Sequence, residues 1–282
     1  MISGVLLLDK PKGISSNCAA NIVKKAVGAT KAGHLGTLDV AGHGLLPITL
    51  GKATKLFDYF LGKDKVYRAS FKFGVETDTF DLEGQVVRID NKKISENDVL
   101  SVIPKLIGKQ NQMPPAYSAK KINGRKAYDL ARQGQEVELK PKMIEIYDLK
   151  LIGQLDENEF MFEIHCSSGT YIRSLCRDMA SLLSTCGVMS DIIRTKCGFL
   201  SLKDAFLLEE VKIGKYEIIP MQDMFFVDEI YLNSEQSGKV LNGVRIDLEK
   251  ADGEYKIFTD KNEFIGLGEI KGGKLKIKIR LI

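Results

Sequence analysis

The chain of 282 residues contains no tryptophan, seven prolines and three histidines, and its five cysteines include no C-x-x-C pair. An odd number of scattered cysteines argues against a disulfide framework or a structural zinc site and favours a reducing cytoplasm. No apolar run approaches the roughly 18 residues that a membrane-spanning helix needs. The first ten residues include an acidic residue, Asp9, after an apolar run that is too short for a signal peptide. We expect them to form a buried opening strand.

The composition is that of an ordinary globular protein, with 44% hydrophobic and 28% charged residues and a net charge of +4. This mild excess of positive charge is compatible with a nucleic-acid partner. Four cations surround an Asn-Gly dipeptide that predicts a hairpin turn: Lys120, Lys121, Arg125 and Lys126. The cluster is either a phosphate-contacting finger or an ordinary solvated loop.

Motifs for common cofactors are incomplete. Residues 44–51 followed by Lys52 resemble a P-loop, but the spacing is too long and Ala53 replaces the required Ser or Thr. Pro47 stands where a dinucleotide fingerprint needs its third glycine. The few histidines near residue 39 do not favour a metal site. We therefore expect side chains alone to carry any chemistry.

The segment GHLGTLD at residues 33–39 is the strongest candidate for such chemistry. Asp39 is the one carboxylate in a run whose nearest flanking charges are Lys31 and Lys52. A carboxylate on a glycine-braced loop among apolar residues is suited to act as a nucleophile or a base. It also suits reactions that pass through an oxocarbenium-like sugar. The alternative is an ordinary Asx-turn aspartate.

Alternating and helical patterns predict the elements around this segment. We expect an amphipathic helix after Ser15, a strand over residues 65–73, and two strands over 143–152 and 159–166. Residues 167–170 (SSGT) then begin a helix with Arg173 in its first turn. A cation there opposes the helix dipole, so we expect Arg173 to have an acidic partner elsewhere.

The last part of the chain has a different sequence pattern. From about residue 230, short strands over 244–248, 255–259, 264–269 and 275–279 alternate with turn signals. This pattern predicts a compact β-barrel-like module, with a boundary near residues 220–228.

These motifs together closely resemble the bacterial tRNA pseudouridine-55 synthases, the TruB family. The resemblance covers nearly the whole chain. Besides residues 33–39, it rests on the following segments: LDKPKGISS (8–16), GLLP (44–47), GKATK (51–55), KVYR (65–68), GVETDTFD (74–81), PPAYSAKK (114–121), ARQG (131–134) and CSSGTYIR (166–173).

The resemblance implies an α+β pseudouridine synthase fold, with a mixed, mainly antiparallel sheet and a central RNA cleft. It implies a catalytic domain over residues 1–226, with an RNA-gripping insertion around 110–142, and a small PUA-like RNA-binding β-barrel over 227–282. The implied activity is the isomerisation of uridine 55 in the tRNA T-loop by base flipping, with no cofactor. The implied enzyme binds the T-arm of tRNA. The sequence gives no clear signal for an oligomer, so we expect a cytoplasmic monomer with no membrane association and no obligate protein partner.

The resemblance also assigns roles to residues. It implies that Asp39 is the catalytic aspartate, that Arg173 pairs with it, and that Tyr67 stacks on the target base. His34 would enter the T-loop, and Lys10 would be a further substrate-binding residue. The four cations of the predicted hairpin fall within the RNA-gripping insertion. Without the resemblance, Tyr67 fits a core tyrosine, Arg173 a surface ion pair and His34 a turn histidine.

The chain departs from the family pattern at several positions. Leu35 occupies the place of a threonine and removes a hydroxyl beside His34. Val40 replaces a proline and cannot stiffen the loop in the same way. His43 is an additional imidazole, and Ile193 removes a positive charge.

Two other functions are compatible with the same residues. One is a non-catalytic RNA-binding or tRNA-folding protein, and the other is the guide-RNA-dependent relative found in archaea and eukaryotes. The uninterrupted basic insertion and the small terminal module favour the stand-alone bacterial type. The sequence leaves open whether Asp39 attacks C1′ or removes a proton from C2′.

Overall fold

The computed structural model describes residues 2–115 and 140–282, together with the backbone of residues 121–122 and 125–126. The α-helices in this part of the chain are α1 (Ser16–Ala26), α2 (Phe57–Leu61), α3 (Glu96–Val102), α4 (Ile172–Leu182), α5 (Leu208–Lys212) and α6 (Ser234–Leu241). Short 3₁₀ helices cover Gly51–Leu56, Ile103–Lys105, Leu202–Asp204 and Met221–Met224. None of the described helices has the length and hydrophobicity that a membrane crossing requires.

The strands fall into two groups along the chain. Those of the first part are β1 (Gly4–Lys10), β2 (Ala32–His34), β3 (His43–Leu50), β4 (Lys65–Phe73), β5 (Val75–Thr77), β6 (Val86–Ile89), β7 (Gly108–Gln112), β8 (Lys121–Ile122), β9 (Arg125–Lys126), β10 (Lys142–Asp156), β11 (Glu159–Cys166), β12 (Gly187–Cys197), β13 (Leu200–Ser201) and β14 (Phe206–Leu207). Those of the last part are β15 (Glu229–Leu232), β16 (Ile246–Asp247), β17 (Gly253–Thr259), β18 (Phe264–Lys271) and β19 (Lys274–Arg280).

A ten-stranded mixed sheet forms the main body, with the path β14-β1-β3-β12-β4-β11-β10-β7. Most neighbouring pairs are antiparallel, while β1 with β14 and β3 with β12 are parallel. The opening strand β1 is almost completely buried, as the sequence predicts. The predicted α+β fold with a mixed, mainly antiparallel sheet is therefore confirmed.

Helices cover one face of this sheet. The apolar side chains of α1 and α4 join those of β3, β4 and β11 in one buried cluster. Within it, Leu175 and Met179 of α4 are fully buried, in agreement with the predicted apolar side of this helix. Tyr67 points into the same face, so the sheet brings the centre of β4 close to the helix that carries Arg173.

The C-terminal strands form a separate five-stranded sheet in the order β15-β17-β18-β19-β16. Its own core includes Ile230, Ile257 and Leu275. A second cluster joins Leu267 and Leu281 to apolar residues of β1, β3 and α2, so this sheet packs against the main body. The division between residues 226 and 227 stays a prediction.

Several element boundaries differ from the predictions. Helix α4 begins at Ile172 rather than at residues 167–170, because those residues form a turn in which the Ser167 hydroxyl accepts from the Glu145 N–H at 2.8 Å. The predicted strand at 244–248 is reduced to β16 (Ile246–Asp247). The central strand β12 and the helix α6 carry no clear local signal, and the sequence patterns do not predict them.

The basic hairpin is only partly described. Strands β8 and β9 pair antiparallel, with Lys121 opposite Lys126 and Ile122 opposite Arg125, which agrees with the predicted hairpin. Lys120 and the side chains of Lys121, Arg125 and Lys126 lie outside the described residues.

Candidate active site

The loop that carries Asp39, residues 35–42, connects β2 to β3 and is held by buried polar contacts. The Leu38 N–H donates to the Ser16 hydroxyl at 2.8 Å, and this hydroxyl donates to the Leu38 carbonyl at 2.9 Å. The Gly42 N–H donates to the Asp39 carbonyl at 3.1 Å, and the Gly13 N–H to the Val40 carbonyl at 2.9 Å. The start of α1 and the turn before it therefore fix the backbone on both sides of Asp39.

Lys10 is completely buried beneath the same loop. Its ammonium donates to the carbonyls of Pro11 and Ile14 at 2.8 Å each and to the Val40 carbonyl at 3.5 Å. Burial lowers the pKa of Lys10 to about 8, while the nearby Asp39 charge acts in the opposite direction. In this structure Lys10 braces the Asp39 loop from below, and its predicted contact with substrate stays a prediction.

Arg173 and Asp39 form an ion pair. The Nη2 atom of Arg173 lies 3.2 Å from Oδ2 of Asp39, and the Arg173 side chain is 8% exposed whereas that of Asp39 is 49% exposed. The turn at Asp39 uses its backbone carbonyl, and its carboxylate faces the guanidinium. The structure thus gives Arg173 the acidic partner expected from its place in the helix. The carboxylate is open to solvent on one side rather than buried.

Asp81 is a second acidic partner of Arg173, and the sequence reasoning gave it no role. Its Oδ2 lies 3.2 Å from Nη1 of Arg173, which also donates to the Thr79 carbonyl at 3.0 Å. Asp81 Oδ1 accepts from the Thr79 hydroxyl at 2.6 Å and from the Glu83 N–H at 3.1 Å. One buried guanidinium therefore joins two carboxylates from two different loops, which fixes its direction.

Tyr67 lies on β4 opposite Arg194 of β12. Its ring is almost fully buried, and burial raises the pKa of Tyr67 to about 12, so the phenol is protonated at neutral pH. The charge of the neighbouring Arg194 acts in the opposite direction on this pKa.

Arg194 is a buried cation that the sequence reasoning did not single out. It is 1% exposed, and its Nε and Nη2 atoms donate to the carbonyls of Leu45 at 2.8 Å and Gly36 at 3.0 Å. Gly36 lies at the beginning of the Asp39 loop, and Leu45 lies in β3 just after the loop ends. Arg194 thus connects both ends of the loop to Tyr67.

His34 ends β2 at the entrance to the Asp39 loop and is partly buried. Burial, followed by the charge of Arg194, lowers the pKa of His34. Its Nδ1 atom is buried without a hydrogen-bond partner among the described residues. A neutral imidazole can donate one hydrogen bond and accept another.

Comparison with known proteins decides the family. The model of the TruB family pseudouridylate synthase N-terminal domain matches residues 24–172, and that of the C-terminal domain of pseudouridine synthase II TruB matches residues 229–281. The chain belongs to the TruB family of pseudouridylate synthases. The sequence resemblance is therefore confirmed, and the protein is an isomerase.

Curated relatives match this TruB-family chain over its full length. It is 42% identical to tRNA pseudouridine synthase B of Aquifex aeolicus, with complete coverage of both chains. It is 36% identical to tRNA pseudouridine synthase B of Caldanaerobacter subterraneus subsp. tengcongensis, with 98% of each covered.

Solved structures support the fold. A chain from the structure of an H/ACA RNP bound to a substrate RNA containing 2′-deoxyuridine aligns with a TM-score of 0.71 and 21% identity, and covers 99% of this chain and 85% of that one. A chain from a Cbf5-Nop10-Gar1 complex aligns with a TM-score of 0.69 and 20% identity, over 99% and 85% of the two chains.

The positions at which this TruB-family chain departs from the family pattern have structural partners. Leu35 is buried in the cluster that contacts the C-terminal sheet. Val40 is exposed, but its carbonyl receives the bonds from Gly13 and Lys10, so hydrogen bonds stiffen the loop where a proline is lacking. His43 lies 3.4 Å from a carboxylate oxygen of Asp191.

Proposed function

We propose that this chain isomerises uridine 55 in the T-loop of tRNA to pseudouridine, with Asp39 as the catalytic residue. The observation that carries the proposal is the ion pair that holds the half-exposed Asp39 carboxylate on the buried Arg173 guanidinium. Full-length relatives that bear the name tRNA pseudouridine synthase B support tRNA as the substrate.

The reaction needs no net oxidation and no external energy. The N1–C1′ bond of the uridine breaks, the uracil turns, and a C5–C1′ bond forms; the proton leaves C5 and N1 gains one. Asp39 either attacks C1′ or removes the C2′ proton while the glycosidic bond is open. In both cases Arg173 and Asp81 keep the carboxylate in one direction, so little reorganisation is required when the sugar becomes electron-poor.

Uridine 55 lies inside a folded loop and must leave its stack before Asp39 can reach the sugar. Tyr67 offers an aromatic ring to replace the lost stacking, which is worth about 1–3 kcal/mol per base. His34, which stands at the entrance of the Asp39 loop and is partly exposed, would enter the T-loop. The half-exposed face of Asp39 becomes covered when the flipped nucleotide binds.

The remaining parts of the proposal concern partners and place. The cations of the basic hairpin would contact the phosphates of the T-arm, and the C-terminal sheet would serve as a PUA-like RNA-binding module. We propose a monomer that needs no protein partner. Cys18 is an exposed free thiol and the other four cysteines are buried free thiols, which supports a reducing cytoplasm.

Tritium release tests the proposal directly. An unmodified tRNA transcript whose uridines carry tritium at C5 loses tritium from position 55 when C5 becomes bonded to C1′. We expect release of one equivalent with the wild type and none with Asp39→Asn, while Glu83→Gln, an exposed acid near the site, keeps wild-type activity. Tritium release that persists in Asp39→Asn, or that continues when uridine 55 is replaced by cytidine, would contradict the proposal.

The fold neighbours from H/ACA particles raise the guide-RNA-dependent alternative, although their 20–21% identity supports the fold alone. The same assay distinguishes the two functions because the transcript is bare. Activity without guide RNA or protein partners supports the stand-alone enzyme. A wild type that binds the transcript tightly yet releases no tritium would favour the non-catalytic RNA-binding alternative.

A further inference from the structure

Helix α4 carries Arg173 at its second position, but its beginning has little local support. Tyr171 is the N-cap residue, and its side chain makes no capping hydrogen bond. The first turn contains no acidic residue, and Arg173 places a positive charge where the helix dipole is already positive. The position of the helix turn from which the Arg173 side chain extends therefore depends on the contacts of Tyr171.

Gln112, the last residue of β7, holds Tyr171 from both sides of its backbone. The Tyr171 N–H donates to Oε1 of Gln112 at 2.8 Å, and Nε2 of Gln112 donates to the Tyr171 carbonyl at 3.1 Å. The same carbonyl accepts the helical bond from the Leu175 N–H at 3.0 Å. Gln112 is 2% exposed, so its amide has no access to water as an alternative partner.

The residue after Gln112 continues this contact with α4. The Met113 carbonyl accepts from the Ser174 hydroxyl at 2.9 Å and from Nη2 of Arg177 at 3.2 Å. The end of β7 is therefore joined to α4 on both sides of Arg173 in the sequence. The Arg173 guanidinium, in turn, reaches Asp39 and Asp81.

We propose that Gln112 is a positioning residue for the isomerisation, because its side-chain amide holds the backbone of the N-cap residue Tyr171 and so aims Arg173 at Asp39. The inference rests on the proposed function, since its effect is measured through pseudouridine formation. Gln112 does not touch the substrate in this proposal. It acts on the rate of the chemical step through the position of the guanidinium.

Single-turnover tritium release from the labelled transcript, combined with measurement of the RNA dissociation constant, tests the proposal. Gln112→Met keeps the shape of the side chain and removes both bonds to Tyr171. We expect it to lower the single-turnover rate constant by at least about ten-fold, since small displacements of a catalytic group are costly, and to leave the dissociation constant within about two-fold. Gln112→Glu keeps the acceptor for the Tyr171 N–H and should have a rate between those of Q112M and the wild type.

Two further variants separate positioning from general loss of structure. Gln110→Met changes a glutamine of the same strand whose amide donates to the Leu106 carbonyl, and we expect its rate to match the wild type. In an Arg173→Lys background, where no guanidinium is left to aim, Q112M should add less than about two-fold to the loss. If the rate of the Arg173→Lys variant is too slow to measure, or Q112M does not fold, the inference is judged from the rates of Q112E and Gln110→Met relative to the wild type.

A wild-type rate in Q112M, or in Q112E where Q112M does not fold, would overturn the inference. A Q112M variant with weaker RNA binding rather than a slower rate would also overturn it, as would an equal loss of rate in Gln110→Met. The same holds for a Q112E rate that is no higher than the rate of a folded Q112M. A full effect of Q112M on the rate in the Arg173→Lys background would overturn it as well. Each of these results leaves the proposed function intact as long as the wild type releases tritium. If the wild type releases none, the proposed function fails instead.

Discussion

The Nη2 atom of Arg173 and the Oδ2 atom of Asp39 are 3.2 Å apart, yet the arginine side chain is 8% exposed and the aspartate side chain is 49% exposed. The buried partner is held by Asp81 and the Thr79 carbonyl, and the exposed partner is the one that solvent reaches. A carboxylate that is fixed by a buried cation and open on one side is accessible to a sugar without a prior rearrangement of the protein.

Asp81→Asn tests whether the second carboxylate matters. An asparagine of the same shape removes the negative charge from a contact worth about 1.5–3 kcal/mol, and Asp39 is then the one carboxylate paired with Arg173 among the described residues. We expect the single-turnover rate to fall by about 10- to 100-fold with a small change in RNA affinity. Glu83→Gln serves as the control on the same loop, and an equal loss in both variants would rule out a specific role for Asp81.

Tyr67→Phe separates the hydroxyl from the ring. Burial raises the pKa of Tyr67 to about 12, so the wild type presents a protonated hydroxyl near the Arg194 guanidinium. Its removal takes a dipole away from this buried cation, at a cost of about 1–3 kcal/mol. We expect a rate at least about ten-fold lower and RNA affinity within about two-fold, because the stacking ring remains.

A matched control for this prediction is Tyr147→Phe on β10, which removes a hydroxyl from an exposed tyrosine of the same sheet and should leave the rate unchanged. If Tyr67→Phe loses RNA affinity rather than rate, the hydroxyl acts in binding and the prediction is wrong.

The pH dependence of the reaction rate should follow the titration of Lys10. Below its pKa of about 8 the ammonium has three protons for three carbonyls, and above it the neutral amine has only two. The contact with Val40, at 3.5 Å, is the longest and is the one we expect to be lost. The wild-type rate should therefore be highest below about pH 8 and fall as the pH rises through that value.

Lys10→Met contains no group that titrates at this position, so its rate should be lower at neutral pH but should lack the decrease near pH 8. Any effect of pH on the RNA is common to both enzymes and cancels in the ratio of their rates. The same alkaline decrease in Lys10→Met would show that another group is responsible.

Gly44→Ala should destabilise the fold at the start of β3. Gly44 has a φ of +93°, and a Cβ there would lie 2.6 Å from the backbone carbonyl oxygen of Arg194. We expect a loss of about 1–3 kcal/mol in the free energy of unfolding, measured by urea denaturation. Gly62 provides the control, because a Cβ at that position would have no neighbouring atom within 4 Å, and Gly62→Ala should be neutral or slightly stabilising.

Local patterns predicted much of this architecture. Strand β11 (Glu159–Cys166) has the predicted bounds, and β4 (Lys65–Phe73) alternates as its sequence indicates. Strand β12 escaped prediction because a charged residue, Arg194, occupies one of its buried positions and because two irregularities in its pairing with β4 interrupt the period of two. Helix α6 escaped because Gly238 and polar residues weaken its pattern.

The sequence by itself determined the family and predicted Asp39 and Arg173 as site residues, because the spacing of residues within the Asp39 loop and around Arg173 is local information. Only the tertiary structure decided that Asp81 shares Arg173 with Asp39, and that Arg194 links Tyr67 to the Asp39 loop. These contacts join segments far apart in the chain. Sheet order and helix packing bring these segments together. A local sequence pattern does not indicate which distant charged residues will form contacts in the folded protein, where they are shielded from water.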